Sequence, residues 1–244
     1  MNSLKNTYRT GQLPHLQPKR ATYSVIILVD DAVPKPILYK LANDRNEKLS
    51  GILRFKKADW RNAYFKARSS FDRRLDILLQ QHANQTHPLA DARAAQVIVD
   101  TLKKYDGVYY DLYSYSVMSN HVHIEIDLSV QTDDLNYVPL SKVMNLIKGG
   151  SSFRINRILG RRGKPLWARR YRDRFIRGET HLYSAYRYTL NNPVAAGITQ
   201  QIGDHPFTGG KSWEEISALA ERRVYPSPQY WYDRLMAYDL GEVG

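Results

Sequence analysis

Apolar and polar residues alternate through 118–127, M-S-N-H-V-H-I-E-I-D. On a β-strand successive side chains point to opposite faces, so Val122, Ile124 and Ile126 form an apolar face and His121, His123 and Glu125 a polar one. The alternating, tyrosine-rich run 108–117 precedes it, and Met118-Ser119-Asn120 turns the first strand into the second as an antiparallel hairpin. Residues 22–29, T-Y-S-V-I-I-L-V, are β-branched and aromatic, stop at Asp30-Asp31 and Pro34, and read as a central strand. Ala95, Ile98, Val99 and Leu102 recur at helical spacing within 91–105, a helix that Asp106-Gly107 ends. The charged stretch of about 35–85 predicts a long helical region, broken near Ser50-Gly51, with a later stripe of Leu75, Leu78 and Leu79. Leu140, Val143, Met144 and Ile147 mark a further helix, with a kink expected at Gly149-Gly150 before Phe153, Ile155 and Ile158. Polar residues 129–137 form a loop. A last helix runs from Leu182 to about Asn191, and Asn192-Pro193 is expected to end it. Residues 1–21 read as a mobile basic lead-in, and 208–244 as an irregular tail, with Trp213 and Trp231, packed on the domain.

Composition narrows the class. The 244 residues can bury a substantial core, and 43% of them are apolar. No run of about 18 apolar residues exists, and no signal-peptide stretch opens the chain, so no membrane partner and a cytoplasmic, nucleoid-associated location are expected. Cysteine is absent, which removes disulfides and zinc–thiolate sites. Lys and Arg outnumber Asp and Glu by 36 to 24, a net +12, and eighteen tyrosines accompany them. A basic surface with stackable rings suits nucleic acid. The charge concentrates at 154–177, where Arg154, Arg157, Arg161, Arg162, Lys164, Arg169, Arg170, Arg172, Arg174 and Arg177 face a single acid, Asp173. Trp167, Tyr171 and Phe175 are interleaved with them. Guanidinium groups grip phosphate in fork geometry and rings stack on bases, so these cations together with Trp167 and Tyr171 are the candidate DNA contacts.

The polar strand face supplies candidate chemistry. His121 and His123 stand about 7 Å apart along the strand, near enough to share one metal ion. Tyr188 and Asn192 lie four residues apart and so project from one helical face. The Asn192 carbonyl could serve as a third ligand while Tyr188 attacks a metal-polarised phosphate. The same two residues also fit a core tyrosine and a helix C-cap. By ligand softness, two imidazoles and an amide suit Zn²⁺ or Mn²⁺ better than Mg²⁺. Tyr186 is rotated about 200° from Tyr188 and Tyr183 about 140°, which singles out Tyr188.

Three segments together resemble a known family. S-Y-S-V-M-S-N-H-V-H-I-E-I, L-W-A-R-R-Y-R-D-R-F and Y-R-Y-T-L-N-N-P-V-A-A-G-I fall in the order seen in REP-associated tyrosine transposases, relatives of the HUH single-tyrosine transposases. Q-L-P-H followed by A-T-Y-S-V-I resembles the family's opening, and the matches extend from about Leu13 to Phe207. The resemblance implies an α+β, ferredoxin-like domain at 22–207 with a central antiparallel sheet flanked by helices, carrying the helical insertion at about 35–85. It implies that His121 and His123 bind metal, that Asn192 matches the third ligand, and that Tyr188 matches the nucleophile. It further implies a Mg²⁺- or Mn²⁺-assisted endonuclease. That enzyme cleaves single-stranded DNA at palindromic hairpins through a 5′-phosphotyrosine, as a monomer or homodimer, in DNA transposition. Ser119 stands where proline is expected, and Ala195 where arginine is expected, which puts a phosphate contact in doubt.

Two other readings compete. A histidine-triad phosphohydrolase needs a third alternate histidine, and Glu125 occupies that position. A hairpin-binding protein that keeps the fold without cleavage differs only in whether Tyr188 becomes joined to DNA.

Overall fold

Residues Thr22–Val29 form strand β1, whose two edges are both paired. The computed structural model describes residues 17–55, 58–83, 87–227, 229–230 and 233. Expectations for residues 1–16 and for Trp231 lie outside the described residues. The chain divides into two compact units, one built from Val33–His82 and the other from Gln17–Ala32 and Ala83–Ser227.

The smaller unit is a pair of helices, α1 (Lys35–Phe55) and α2 (Trp60–His82). Leu41, Leu49 and Leu53 on α1 are buried, as are Tyr64, Phe71, Leu75 and Leu79 on α2. The expected break at Ser50-Gly51 does not occur. Leu49 and Leu53 flank the glycine and stay buried, so packing holds α1 helical to Phe55.

The larger unit contains α3 (Ala92–Tyr105), β2 (Asp111–Val117), β3 (His121–Asp127), α4 (Leu140–Ile158), β4 (Trp167–Phe175), α5 (Glu179–Ala195), β5 (Thr208–Gly210) and α6 (Trp213–Ala218). Its sheet has the order β4-β1-β3-β2-β5 with every pairing antiparallel. With α3 between β1 and β2 and α4 between β3 and β4, this is the ferredoxin-like α+β arrangement. The Asp91 carboxylate accepts from the Arg93 backbone N–H and starts α3, and Gly107, with φ of 75°, follows its end.

The two sheet faces have different covers. Val25 pairs with Ile124 and Ile27 with Val122, so these residues share one face. Trp167 reaches α4 there, its indole N–H donating to Ser151 Oγ at 3.1 Å. Ser24 pairs with Glu125, Ile26 with His123 and Leu28 with His121 on the other face, which α5 crosses. That cover buries a polar surface expected to face solvent.

Three boundary expectations are corrected. Helix α4 runs through Gly149-Gly150 without interruption, because Ile147, Ser151 and Ile155 on its inner side are all buried. Pro193 lies inside α5 instead of ending it. The ring removes one donor near the helix end, while Ala196, Gly197 and Ile198 donate to the carbonyls of Asn192, Val194 and Pro193. Residues 17–21 are not a loose lead-in. Ala21 is buried, and the Gln17 side-chain amide donates to Tyr171 Oη at 2.9 Å and to Asp173 Oδ2 at 3.2 Å.

The stretch after Phe207, expected to be irregular, extends the sheet. β5 pairs with β2 beside a register shift between Leu112 and Ser114 that leaves Tyr113 as a bulge. A cluster of Tyr113, Ile176, Leu182, Ala185, Tyr186 and Ile216 then fastens α6 and the first half of α5. Gly210 makes this junction possible: its φ is 151°, and a Cβ there would sit 2.1 Å from the Tyr113 carbonyl oxygen. Gly210→Ala is therefore expected to destabilise the protein by about 2 kcal/mol in urea titrations. Gly51→Ala, in an open helical site, is expected to stabilise it by about 0.5–1 kcal/mol. Equal midpoints for the two variants would show that β5 is not held by that close approach.

Candidate active site

β3 carries two histidines on one face because its alternation puts every second side chain there, and α5 then closes over them. His121 and His123 are 1% and 2% exposed, with ring centroids 4.9 Å apart. The 7 Å strand spacing has shrunk because the rings lean together. Sequence periodicity placed both on the solvent side. The overlying helix makes that wrong, since α5 contributes buried Thr189 and Asn192 directly above them.

Asn120 fixes the state of the first ring. Its side-chain N–H₂ donates to the Ala32 carbonyl at 3.2 Å, which turns its Oδ1 toward His121 Nδ1 at 2.7 Å. An amide oxygen only accepts, so His121 carries its proton on Nδ1 and keeps a bare lone pair on Nε2. Burial, reinforced by the neighbouring His123, pushes His121 well below the usual histidine range, with the Asn192 amide acting in the opposite sense. Burial alone pushes His123 down to about 4. Both rings are thus neutral near pH 7, the state in which imidazole binds a metal.

Around this pair, buried polar atoms lack partners among the described residues. They are His123 Nε2, both amide atoms of Asn192, and Glu125 Oε2. Each such atom costs about 1–3 kcal/mol if nothing fills it. Two neutral imidazoles and one carboxamide oxygen form a donor set that a divalent ion fits, with open positions left for other ligands. No group of three His, Cys, Asp or Glu side chains gathers as a metal site among the described residues.

Glu125, third on the histidine face, serves a different purpose. Its Oε1 accepts from Ser24 Oγ at 2.9 Å and from Thr189 Oγ1 at 3.0 Å. Burial pushes its carboxyl up to about 7 against the opposing pull of those two hydrogen bonds. The carboxylate thereby ties β1, β3 and α5 together. Beside Thr189, Tyr188 is 43% exposed and its ring centroid lies 5.7 Å from that of His123. The neighbouring tyrosines face elsewhere. Tyr186 is buried and donates to the Lys211 carbonyl at 3.1 Å, and Tyr183 packs on Trp213 at 4.8 Å.

Residues 82–189 match the family described as "Transposase IS200 like". That stretch is similar to IS200-like transposases. It contains both histidines and Tyr188 and stops three residues before Asn192. No curated protein matches the chain. A solved structure described as "Structure of the REP associates tyrosine transposase bound to a REP hairpin" aligns over 88% of each chain, with 15% identity and a TM-score of 0.47. No helix among the described residues is long and apolar enough to cross a membrane.

The basic segment is spread over both sheet faces. Arg172 pairs across β1 with Ile26, and Arg174 with Ser24, so these two half-buried arginines share the histidine face. Arg169 and Arg170 are exposed on β4, an edge strand, and Arg177 is exposed just before α5. Arg157, Arg162 and Lys164 are exposed around the end of α4. Arg154 ion-pairs with Asp100 at 3.8 Å, and Arg161 donates to the Pro165 carbonyl at 3.2 Å. Trp167 requires a correction. It is buried and hydrogen-bonded to Ser151, so it offers no ring face for a base to stack on. Tyr171 is half-buried on the face away from the histidines.

Asn120, Ser24 and Thr189 escaped the sequence reading. The first stood in plain view beside His121, but Ser24 and Thr189 become visible only once strand register and helix placement are known. Thr189→Val leaves Glu125 with one donor fewer in a closed site and is expected to cost about 1–2 kcal/mol in chemical denaturation. Thr189→Ser, which keeps the hydroxyl, is expected to recover most of that. Equal losses in the two variants would mean that packing of the methyl group, not the hydrogen bond, matters.

Proposed function

We propose that the protein is a metal-dependent single-stranded DNA endonuclease and transposase that cleaves beside hairpin DNA through a 5′-phosphotyrosine. One observation carries this reading. An exposed tyrosine stands at the rim of a buried set of nitrogen and amide donors, of which His123 Nε2 and both amide atoms of Asn192 have no partner among the described residues. The transposase family match supports the substrate class, and the sequence resemblance supports the hairpin.

His121, His123 and Asn192 would hold Mg²⁺ or Mn²⁺. When bound, the ion supplies positive charge beside a phosphate oxygen and so makes the phosphorus more electrophilic. The chain's own groups do the rest. The phenolic oxygen of Tyr188 attacks phosphorus and forms a P–O bond, the bond from phosphorus to the 3′ oxygen breaks, and the departing DNA strand ends in a 3′-hydroxyl. The phenolic proton leaves to solvent, to which Tyr188 is open, and the 3′ oxygen takes up a proton. The Glu125–Thr189 hydrogen bond keeps α5 from drifting, so Tyr188 meets the phosphate at a fixed place. Energy stored in the phosphotyrosine allows the reverse attack by another 3′-hydroxyl, which is strand transfer.

The test uses hairpin oligonucleotides with single-stranded flanks, incubated with Mn²⁺ or Mg²⁺ and run on denaturing gels. Tyr188→Phe is expected to bind the hairpin as the wild type does yet yield no covalent adduct. Tyr183→Phe and Tyr186→Phe are expected to keep the adduct, and chelator to abolish it. Peptide mapping by mass spectrometry locates the linkage. An adduct on another residue, or cleavage undiminished in Tyr188→Phe, would overturn the assignment. Binding with no adduct in the wild type would make this a hairpin-binding protein.

A further inference from the structure

The helical hairpin of α1 and α2 carries none of the residues assigned to the candidate active site. It nevertheless holds seven of the chain's net +12, because residues 35–82 contain twelve Lys and Arg against five Asp and Glu. Between its two helices lies a cavity of about 820 Å³. Ligand sites commonly enclose about 300–1,000 Å³. Ile52, Phe55 and Trp60 give this one an apolar wall, and Phe55 is 72% exposed. A guanidinium group accompanies each ring. That of Arg54 lies 5.8 Å from the Phe55 centroid, and that of Arg61 lies 5.5 Å from Trp60.

Gly51 keeps the cavity open. It sits in the interior of α1, where glycine weakens a helix, and a Cβ built on it would meet nothing within 4 Å. Glu47 stands one turn earlier on the same face and lines the same cavity. Two other carboxylates of the lining are engaged. Asp44 pairs with Arg74 at 3.5 Å, and Asp59 accepts from the Asn62 side-chain amide at 2.7 Å. Glu47 is exposed and makes no hydrogen bond or ion pair among the described residues.

We infer that this cavity takes one unpaired guanine of a single-stranded DNA segment, its ring against Phe55 and Trp60 and its Watson–Crick edge on Glu47. A carboxylate only accepts, and guanine alone presents two adjacent donors on that edge, the N1 imino and the 2-amino group. Thymine presents one donor between two carbonyl oxygens, which a carboxylate repels. Charge decides between this occupant and a cationic side chain. The surrounding hairpin is strongly basic, so it repels a cationic partner and attracts the phosphates on either side of a base. The inference rests on the single-stranded DNA reading above for the polymer and adds a base-reading site in the smaller unit.

The experiment measures anisotropy of fluorescent 20-mers in the presence of chelator, so that cleavage plays no part. The strands are dT20, the same strand with one central dG, and the same with one central deoxyinosine, which lacks the 2-amino group. In the wild type dG is expected to tighten binding about fivefold or more over dT20, the discrimination of one good bidentate pair, and deoxyinosine to forfeit most of that. Glu47→Gln is expected to bind all three strands within about twofold of one another. Gly51→Leu puts a side chain into the cavity and replaces glycine by a better helix former. It is therefore expected to melt no lower than the wild type while losing the dG preference. A preference below about twofold in the wild type would overturn the site, as would one that survives in either variant. Failure of the wild type to bind any of the strands would overturn it too. An arginine-rich peptide that the wild type binds and Gly51→Leu does not would assign the cavity to a cationic partner instead. The nucleophile assignment stands or falls separately, on the mapped adduct.

Discussion

Two hydrogen bonds to one carboxylate oxygen hold the functional parts in register. Glu125 Oε1 receives the hydroxyl of Ser24 from β1 and that of Thr189 from α5. The carboxylate itself stands on β3, two residues beyond His123. Three elements distant in sequence are thus joined within a buried site, where an unmade hydrogen bond is expensive. Tyr188 and Asn192 flank Thr189 on the same helix, so their positions over the histidines follow from this contact. Arg223, donating to Glu179, ties down the other end of α5.

The chemistry of the pocket follows from burial. Imidazoles in water would protonate near neutrality, but under α5 both remain neutral and Asn120 directs the lone pair of one outward. The cost is a group of polar atoms with no partner among the described residues. Two imidazoles and a carboxamide oxygen are donors that a divalent ion fits. Tyr188 stands at the rim of this pocket, half in solvent, with its ring against that of His123.

Much of the frame was legible in the sequence, because period two and period 3.6 are local properties. The 22–29 strand, the hairpin through Met118-Ser119-Asn120 and the 91–105 helix all appear where alternation or helical spacing put them. The depth of the histidines was not legible, since it depends on a helix some sixty residues further along the chain. Trp167 misled for a similar reason: an indole among arginines reads as a stacking platform until its N–H is found on Ser151. Pro193 misled because its effect depends on position, and near a helix end the lost donor is minor.

The central claim is that the unpartnered atoms of His123 and Asn192, with the bare nitrogen of His121, form one metal site. Pulsed electron paramagnetic resonance of Mn²⁺ added to protein with ¹⁵N-labelled histidine tests this directly. The account predicts hyperfine coupling to two imidazole nitrogens, reduced to one in either His121→Gln or His123→Gln, and a phosphorus coupling when single-stranded DNA is added. A Mn²⁺ spectrum that is indifferent to histidine labelling would contradict it, and the buried pocket would then be filled by water alone.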